Sequence, residues 1–350
     1  VQSVAFLNFA GLVMNDMKPV YIFQSGMLSR KGNTLAFKSQ EDDKTKYFPV
    51  ENVSEIKIFG EVDLNKRVLE FVSSNNIPIH FYNYHGFYIG SFYPYEHNTN
   101  GMTIVKQVEH YLSEKKRLIL AKKFIEGAMR NMLKIVEYYE RRNENQSPRS
   151  YREKLQEILA RLDSVASIEE LMAQEGNYRE VYYSFIDDVV VSDDLFKMGT
   201  REKRPPTNCM NTLVSFGNSL MYSTVLTYIY QTPLDPRIGY LHSTNFRRFS
   251  LNLDIAEIFK PVIVDRTIFN VVNKKMINEK HFKKVEGGIH LNDDGKKIFI
   301  QDYEDHLNTT IMHKSLKRNV SYRSLIKQEA YKVLKHLLEE KEYTPFLMRW

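Results

Sequence analysis

The run Phe87-Tyr-Ile-Gly-Ser-Phe-Tyr-Pro-Tyr-Glu-His-Asn-Thr-Asn-Gly101 is where the chain changes its period. Before it, short aromatic and β-branched runs alternate with turn residues, and strands are expected over 19–23, 34–38, 54–59, 77–82 and 87–92. Lys31-Gly-Asn33, Asp42-Asp43, Asn75-Asn76 and His85-Gly86 supply the turns, and one helix is inserted over 62–74 with Leu64, Val68, Leu69 and Val72 inward. After Gly101 apolar residues recur every three or four positions, so helices are expected over 102–142, 151–162, 168–191, 208–231 and 323–340. The segment 143–149 reads as a surface loop, and 287–299 as a hairpin turned by Asn292-Asp-Asp-Gly295. The fold class is α+β: a mostly-β domain over 17–97, then a larger all-α domain over 102–350. Residues 1–16, which begin at Val1 rather than Met, read as an extra segment, either a tag or the end of an upstream fusion.

A chain of 350 residues exceeds one typical core, in keeping with two domains. The net charge of +6 permits nucleic acid, an anionic membrane surface or an acidic partner without choosing among them. One cysteine, Cys209, rules out an internal disulfide or a cysteine-based zinc site. The apolar run 4–14 lacks a basic flank and is too short to span a bilayer, so a signal peptide and a membrane partner are not expected, and the cytoplasm is.

The chemistry concentrates in Gly239-Tyr-Leu-His-Ser-Thr-Asn-Phe-Arg-Arg-Phe-Ser-Leu-Asn-Leu-Asp-Ile-Ala-Glu-Ile-Phe-Lys260. A helix starting near Asn252 sets Asp254 and Glu257 three apart on one face, within reach of one small ion together with His242. Oxygen and imidazole donors suit Mg, Mn or a transition ion such as Zn. Taken singly, a core histidine, a helix-start carboxylate and a surface Glu are the ordinary explanations. Arg247, Arg248 and Lys260 beside them point instead to a polyanion, because a cation can offset the charge that develops on phosphodiester oxygens. Glu175 and Arg179, four apart on a helix, form either a solvated pair or a further carboxylate with a phosphate-contacting arginine. Lys106, Lys115, Lys116, Arg117, Lys122, Lys123, Arg130, Lys134, Arg141 and Arg142, interspersed with Tyr111, Tyr138 and Tyr139, suggest a surface that tracks a DNA backbone. The apolar end, Phe346-Leu-Met-Arg-Trp350, is expected to fold back on its own core or to dock on a partner.

The chain resembles the CRISPR-associated integrase family, the first-numbered Cas protein, from Met17 to about Leu338. The resemblance is carried in order by Tyr21-Ile-Phe-Gln-Ser-Gly26, Phe59-Gly-Glu-Val62, Ile79-His-Phe81, Glu175-Gly-Asn177, Arg204-Pro-Pro206, Asn211 to Leu220, Leu234-Asp-Pro-Arg-Ile-Gly-Tyr-Leu-His242 and Ser250-Leu-Asn-Leu-Asp-Ile-Ala-Glu257. It implies a metal-dependent DNA endonuclease and integrase that inserts spacer DNA into a CRISPR array by transesterification. It also implies Mg2+ or Mn2+, a homodimer joined largely through the β-domains, protospacer and repeat DNA, and a small second CRISPR-associated protein. The resemblance maps the metal ligands, which are also the catalytic residues, onto Glu175, His242 and Glu257, with Asp254 as auxiliary or alternative. Arg179, Arg248, Lys260, Lys203 and Arg204 are the implied substrate contacts. Two other functions use the same residues: a general nuclease for branched DNA in repair, and a non-catalytic DNA-binding scaffold.

Overall fold

In the computed structural model, residues 17–41, 44–95, 100–142, 147–202, 205–242, 249–313 and 317–348 are described. The chain divides into two compact units that meet in sequence after Tyr95. In the first, β1 (Lys18–Ile22), β5 (Val53–Ile58) and β7 (Ile79–Tyr82) run parallel, and β8 (Tyr88–Phe92) closes that sheet antiparallel to β7. A second sheet orders β4 (Thr45–Pro49), β3 (Thr34–Ser39), β2 (Gly26–Lys31) and β6 (Val62–Leu64). Both sheets and α1 (Lys66–Ser74) contribute to one core containing Ile22, Leu28, Phe37, Ile56, Val68, Phe71 and Ile79. All five expected strands are present. β2, β4 and β6 had not been expected, and β6 occupies what read as the first turn of the helix over 62–74. That helix starts later because Asn65 accepts a bond from the Val68 amide, which fixes the N-cap there.

The first unit also buries a charged group. Lys57 Nζ lies 3.0 Å from Glu55 Oε1, His80 Nε2 lies 3.4 Å from Glu55 Oε2, and His80 Nδ1 lies 2.6 Å from Ser91 Oγ. Burial, the largest influence, lowers the His80 pKa; Glu55 opposes it and Lys57 adds to it.

The second unit is helical, with two small hairpins. Its elements are α2 (Gly101–Leu112), α3 (Glu114–Arg142), α4 (Ser147–Ala160), α5 (Ile168–Phe185), α6 (Cys209–Tyr230), α7 (Leu251–Phe259), α8 (Arg266–Asn273), α9 (Asp293–Asn308) and α10 (Tyr322–Leu337). The single helix expected over 102–142 is two, broken at Ser113, whose backbone is extended. α2 is reversed relative to its expected amphipathicity, with Thr103, Gln107 and His110 buried and Met102, Val105 and Leu112 exposed. α4 begins within the expected loop, with Pro148 in its first turn, where a missing N–H costs no helical bond. The hairpin lies one step earlier than expected: β9 (Phe282–Val285) pairs with β10 (Gly288–Leu291), and Gly287 adopts φ +86° in the turn. Asn292 caps α9 instead, accepting from the Gly295 amide, with Asp293 and Asp294 favourably placed in the first turn. A second hairpin joins β11 (Thr310–His313) and β12 (Arg318–Ser321), so this unit is not purely α.

α3 packs against α4, α5 and α7, and α6 against α7 and α10. The C-terminal residues fold back on this core: Tyr343 and Met348 are buried, and Phe346 stacks on Phe259 at 5.5 Å. No helix among the described residues is long and apolar enough to cross a membrane.

Two outcomes follow from this packing. A Cβ at Gly217 on α6 would sit 2.5 Å from Val264 Cγ1 and 3.0 Å from Phe299 Cζ, both on fully buried side chains. Gly217→Ala is therefore expected to cost about 1–3 kcal/mol through overpacking, read by urea unfolding; an unchanged midpoint would contradict this. For His80, an unfolded chain takes up a proton as pH falls below about 6.5 while the folded chain resists, so stability is lost as pH falls from there towards the lowered folded pKa. The fall in melting temperature between pH 7.5 and 5.5 should shrink in His80→Gln, and an equal fall in both proteins would exclude His80 as its source.

Candidate functional site

The loop Leu234–His242 is built by backbone groups that find partners on α7. Pro236 O accepts from the Ser250 and Leu251 amides at 3.0 Å each. Ser250 Oγ accepts from Gly239 N at 2.8 Å and donates to Arg237 O at 2.7 Å. Gly239 is required by close approach, since a Cβ there would lie 2.8 Å from Ser250 backbone and side-chain atoms. Gln107 of α2 clamps the far end, donating to Asp235 O at 3.1 Å and accepting from Asp235 N at 2.7 Å.

Asp254, fully buried on α7, completes the loop. Its Oδ2 accepts from Tyr240 N at 2.5 Å and Leu241 N at 3.1 Å; its Oδ1 accepts from His242 N at 3.0 Å and lies 2.8 Å from His242 Nδ1. Three successive amides and one imidazole thus converge on one carboxylate. His242 Nδ1 is engaged with this carboxylate, and Nε2 faces Glu257 Oε1 at 4.0 Å.

Glu257, one helical turn after Asp254, is 4% exposed and is bound by two cations. Lys260 Nζ donates to Oε1 at 2.5 Å, and Arg179 Nη2 donates to Oε2. Burial alone would raise the Glu257 pKa, but Lys260, Arg179 and His242 outweigh it and hold the carboxyl down at about 2. Lys260 is raised in turn, because Glu257 outweighs the effect of burial, and its ammonium lies 4.8 Å from the Tyr222 ring centre. Arg179 also donates from Nε to Glu175, so one guanidinium joins Glu175 and Glu257.

α5 is aimed by its aromatic face. Ser167 caps its start by accepting from Glu170 N at 3.1 Å, Tyr178 donates to Met129 O at 2.7 Å, and Tyr182 donates to Asp265 at 3.1 Å. Arg179, three residues before Tyr182, reaches Glu257 on α7, and Glu175 lies one turn before Arg179. Burial pushes the carboxyl of Asp265 up to about 6, against the pull of Arg179.

Glu175, Arg179, His242, Asp254, Glu257 and Lys260 therefore form one cluster. Arg179 and Lys260, expected to contact phosphate, face inward onto carboxylates. Arg248, Arg247, Lys203 and Arg204 lie outside the described residues. Along α2 and α3 many basic groups pair with neighbouring acids: Lys106 and Lys116 with Glu109, Lys123 and Arg130 with Glu126, and Lys134 with Glu137. Sequence reasoning missed Gln107 and Tyr222. Gln107 sits with Thr103 and His110 on the polar face of α2, which the sequence pattern turns to solvent, so it gave no signal, and Tyr222 had none.

Among the described residues, no three His, Cys, Asp or Glu side chains stand close enough to share an ion. The donor chemistry nevertheless fits a divalent cation. A carboxylate at Nδ1 fixes His242 with Nε2 turned to Glu257, the usual outer support of a metal-binding imidazole, and Glu257 has two oxygens already facing cations. Arg179 and Lys260 are the groups with which an ion would compete. Asp254→Ala is expected to cost about 3 kcal/mol or more, because three amides lose a buried anionic acceptor. Asp254→Asn should cost less. Urea unfolding checks this, and equal stability of Asp254→Ala and the parent would contradict it.

A family model for CRISPR associated protein Cas1 matches residues 20–305. The chain is 54% identical over 333 residues to a CRISPR-associated endonuclease Cas1 of Thermodesulfovibrio yellowstonii, covering 95% of this chain and 99% of that one. Its fold is similar to a Cas1 protein from Thermotoga maritima, with a TM-score of 0.81 and 49% identity, covering 94% of this chain and all of that one. A casposase bound to an integration product has the same TM-score of 0.81 at 20% identity, covering 94% of this chain and 93% of that one, a likeness of fold.

Proposed function

The chain belongs to the Cas1 family of CRISPR-associated proteins, and on that premise we propose that it is a divalent-metal-dependent DNA endonuclease and integrase that joins spacer DNA to a CRISPR repeat. The observation that carries the reading is the run of contacts that links His242 Nε2 to Glu257, Glu257 to Arg179 and Arg179 to Glu175, from a loop and two helices. His242 Nε2, Glu257 and Glu175 would hold Mg2+ or Mn2+, the set the family resemblance implies. When bound, such an ion offsets charge developing on phosphodiester oxygens and favours the attacking hydroxyl as its alkoxide.

The side chains have separable tasks. Asp254 orients His242 and is spent on backbone amides, so the reading assigns it positioning rather than ligation. Glu257, held ionised by Lys260 and Arg179, is ready to ligate without first losing a proton. Arg179 and Lys260, which now hold Glu175 and Glu257, would be the groups free to meet a phosphate with an ion on those carboxylates. A 3′-hydroxyl as nucleophile gives strand transfer, and water gives hydrolysis; in each case the leaving 3′-oxygen takes up a proton and the number of phosphodiesters is conserved or reduced by one. Contacts made by Arg179 and Lys260 would be with phosphates rather than bases.

Protospacer and repeat DNA, a second copy joined through the β-unit, and a small second CRISPR-associated protein complete the proposed assembly. A solved Cas6-RT-Cas1–Cas2 complex contains a chain of this fold and supports the last of these.

The test is strand transfer of a 3′-hydroxyl duplex into a supercoiled, repeat-bearing plasmid, with Mg2+ or Mn2+ and with or without the small partner. Glu175→Ala and His242→Ala should each lower the rate by about 100-fold or more while DNA affinity stays within a few-fold, and EDTA should abolish the reaction. Retained integration in either variant would overturn the assignment. Cleavage of branched DNA without any integration would favour the repair nuclease, and binding without either reaction the scaffold.

A further inference from the structure

α7 ends in an unusual way two residues after Glu257. Pro261 follows by four residues and has no N–H, so the Glu257 carbonyl cannot receive its helical bond, and the helix passes into a π turn over Lys260–Asp265. The next carbonyl, Ile258 O, receives a bond from outside the helix, 2.9 Å from Asn131 Nδ2. Asn131 lies on α3 among Ala128, Met132 and Ile135 and is fully buried.

The same amide also holds the C-terminal segment. Asn131 Nδ2 donates to Phe346 O at 3.1 Å, and Oδ1 accepts from Met348 N at 2.8 Å. Phe346 stacks on Phe259, two residues from Glu257, at 5.5 Å with planes 8° apart. Glu329 of α10 fixes the segment from its other side, accepting from Tyr343 OH at 2.6 Å and Phe346 N at 3.0 Å. Gly127, one turn before Asn131, permits the approach: a Cβ there would lie 2.7 Å from Pro345 Cβ and 3.2 Å from Ile258 Cγ1.

We infer that Asn131 and the C-terminal segment Tyr343–Met348 form a brace that positions the Glu257 end of α7, making Asn131 a positioning residue for the reaction proposed above, on which its catalytic consequence rests. The brace itself does not rest on that reading. A side-chain amide can serve two carbonyls and one N–H at once, whereas Asp keeps the acceptor and loses the donor, and Leu loses both.

The experiment compares full-length parent, Asn131→Asp, Asn131→Leu and a control, Leu307→Ala, which empties a fully buried site on α9. Hydrogen exchange of amides 255–265, DNA affinity and the strand-transfer rate are read on each. Both Asn131 variants should exchange at least about 10-fold faster over 255–265, lose about 10-fold or more in rate, and keep DNA affinity within about twofold, while Leu307→Ala leaves exchange over 255–265 near that of the parent. Unchanged exchange at 255–265 in the Asn131 variants, or an equal increase in Leu307→Ala, overturns the brace. Faster exchange with an unchanged rate overturns the positioning role. An inactive parent overturns the proposed function instead, and exchange still decides the brace.

Discussion

The second unit's chemistry depends on one buried carboxylate. Asp254 has no exposure, and an anion there is tolerable only because three consecutive amides and an imidazole surround it. This arrangement sets the conformation of Tyr240 to His242 and ties it to α7. Because Glu257 is one turn further along α7, the distance between His242 and Glu257 is set by the helix rather than by a mobile loop. Gly239, Ser250, Pro236 and Gln107 are further consequences of bringing that loop so close to the helix start.

Around this fixed pair the electrostatics are balanced by the chain itself. Glu257 and Glu175 are joined by Arg179, and Glu257 is also held by Lys260, in a setting where an unpartnered buried charge would cost several kcal/mol. The balance keeps Glu257 ionised and the cluster ordered. It also means that, in the function proposed above, an incoming ion would compete with the two cations for the same oxygens, which would link gain of the ion to any contact of Arg179 or Lys260 with phosphate.

Much of this was legible in the amino-acid sequence. The period change near Gly101 separates the β-rich and helical units, and Asp254 and Glu257 lie on one helix beside His242 as their spacing requires. β2 and β4 were missed because Gly26-Met-Leu-Ser-Arg-Lys31 and Thr45-Lys-Tyr-Phe-Pro49 lack a sustained β-branched alternation. Asn292-Asp-Asp-Gly295 was misplaced because the same residues serve turns and helix caps, and only the partner of the Gly295 amide distinguishes them. Tertiary bonds were illegible. Asn131 appears in the helical pattern of α3 as an interruption of its inner stripe and Gln107 as a residue of the polar face of α2, yet each satisfies backbone groups more than 100 residues away. Nor does the spacing of Glu175 and Arg179 disclose that this arginine also reaches Glu257.

In the proposed function His242 Nε2, Glu257 and Glu175 take the ion while Asp254 holds the loop. Anomalous diffraction from crystals soaked in Mn2+ tests it most directly. One strong peak per chain is expected, bonded to His242 Nε2 and to oxygens of Glu257 and Glu175, with Asp254 still on the Tyr240, Leu241 and His242 amides. A peak bonded to Asp254, or full Mn2+ occupancy elsewhere with none at His242, would contradict it.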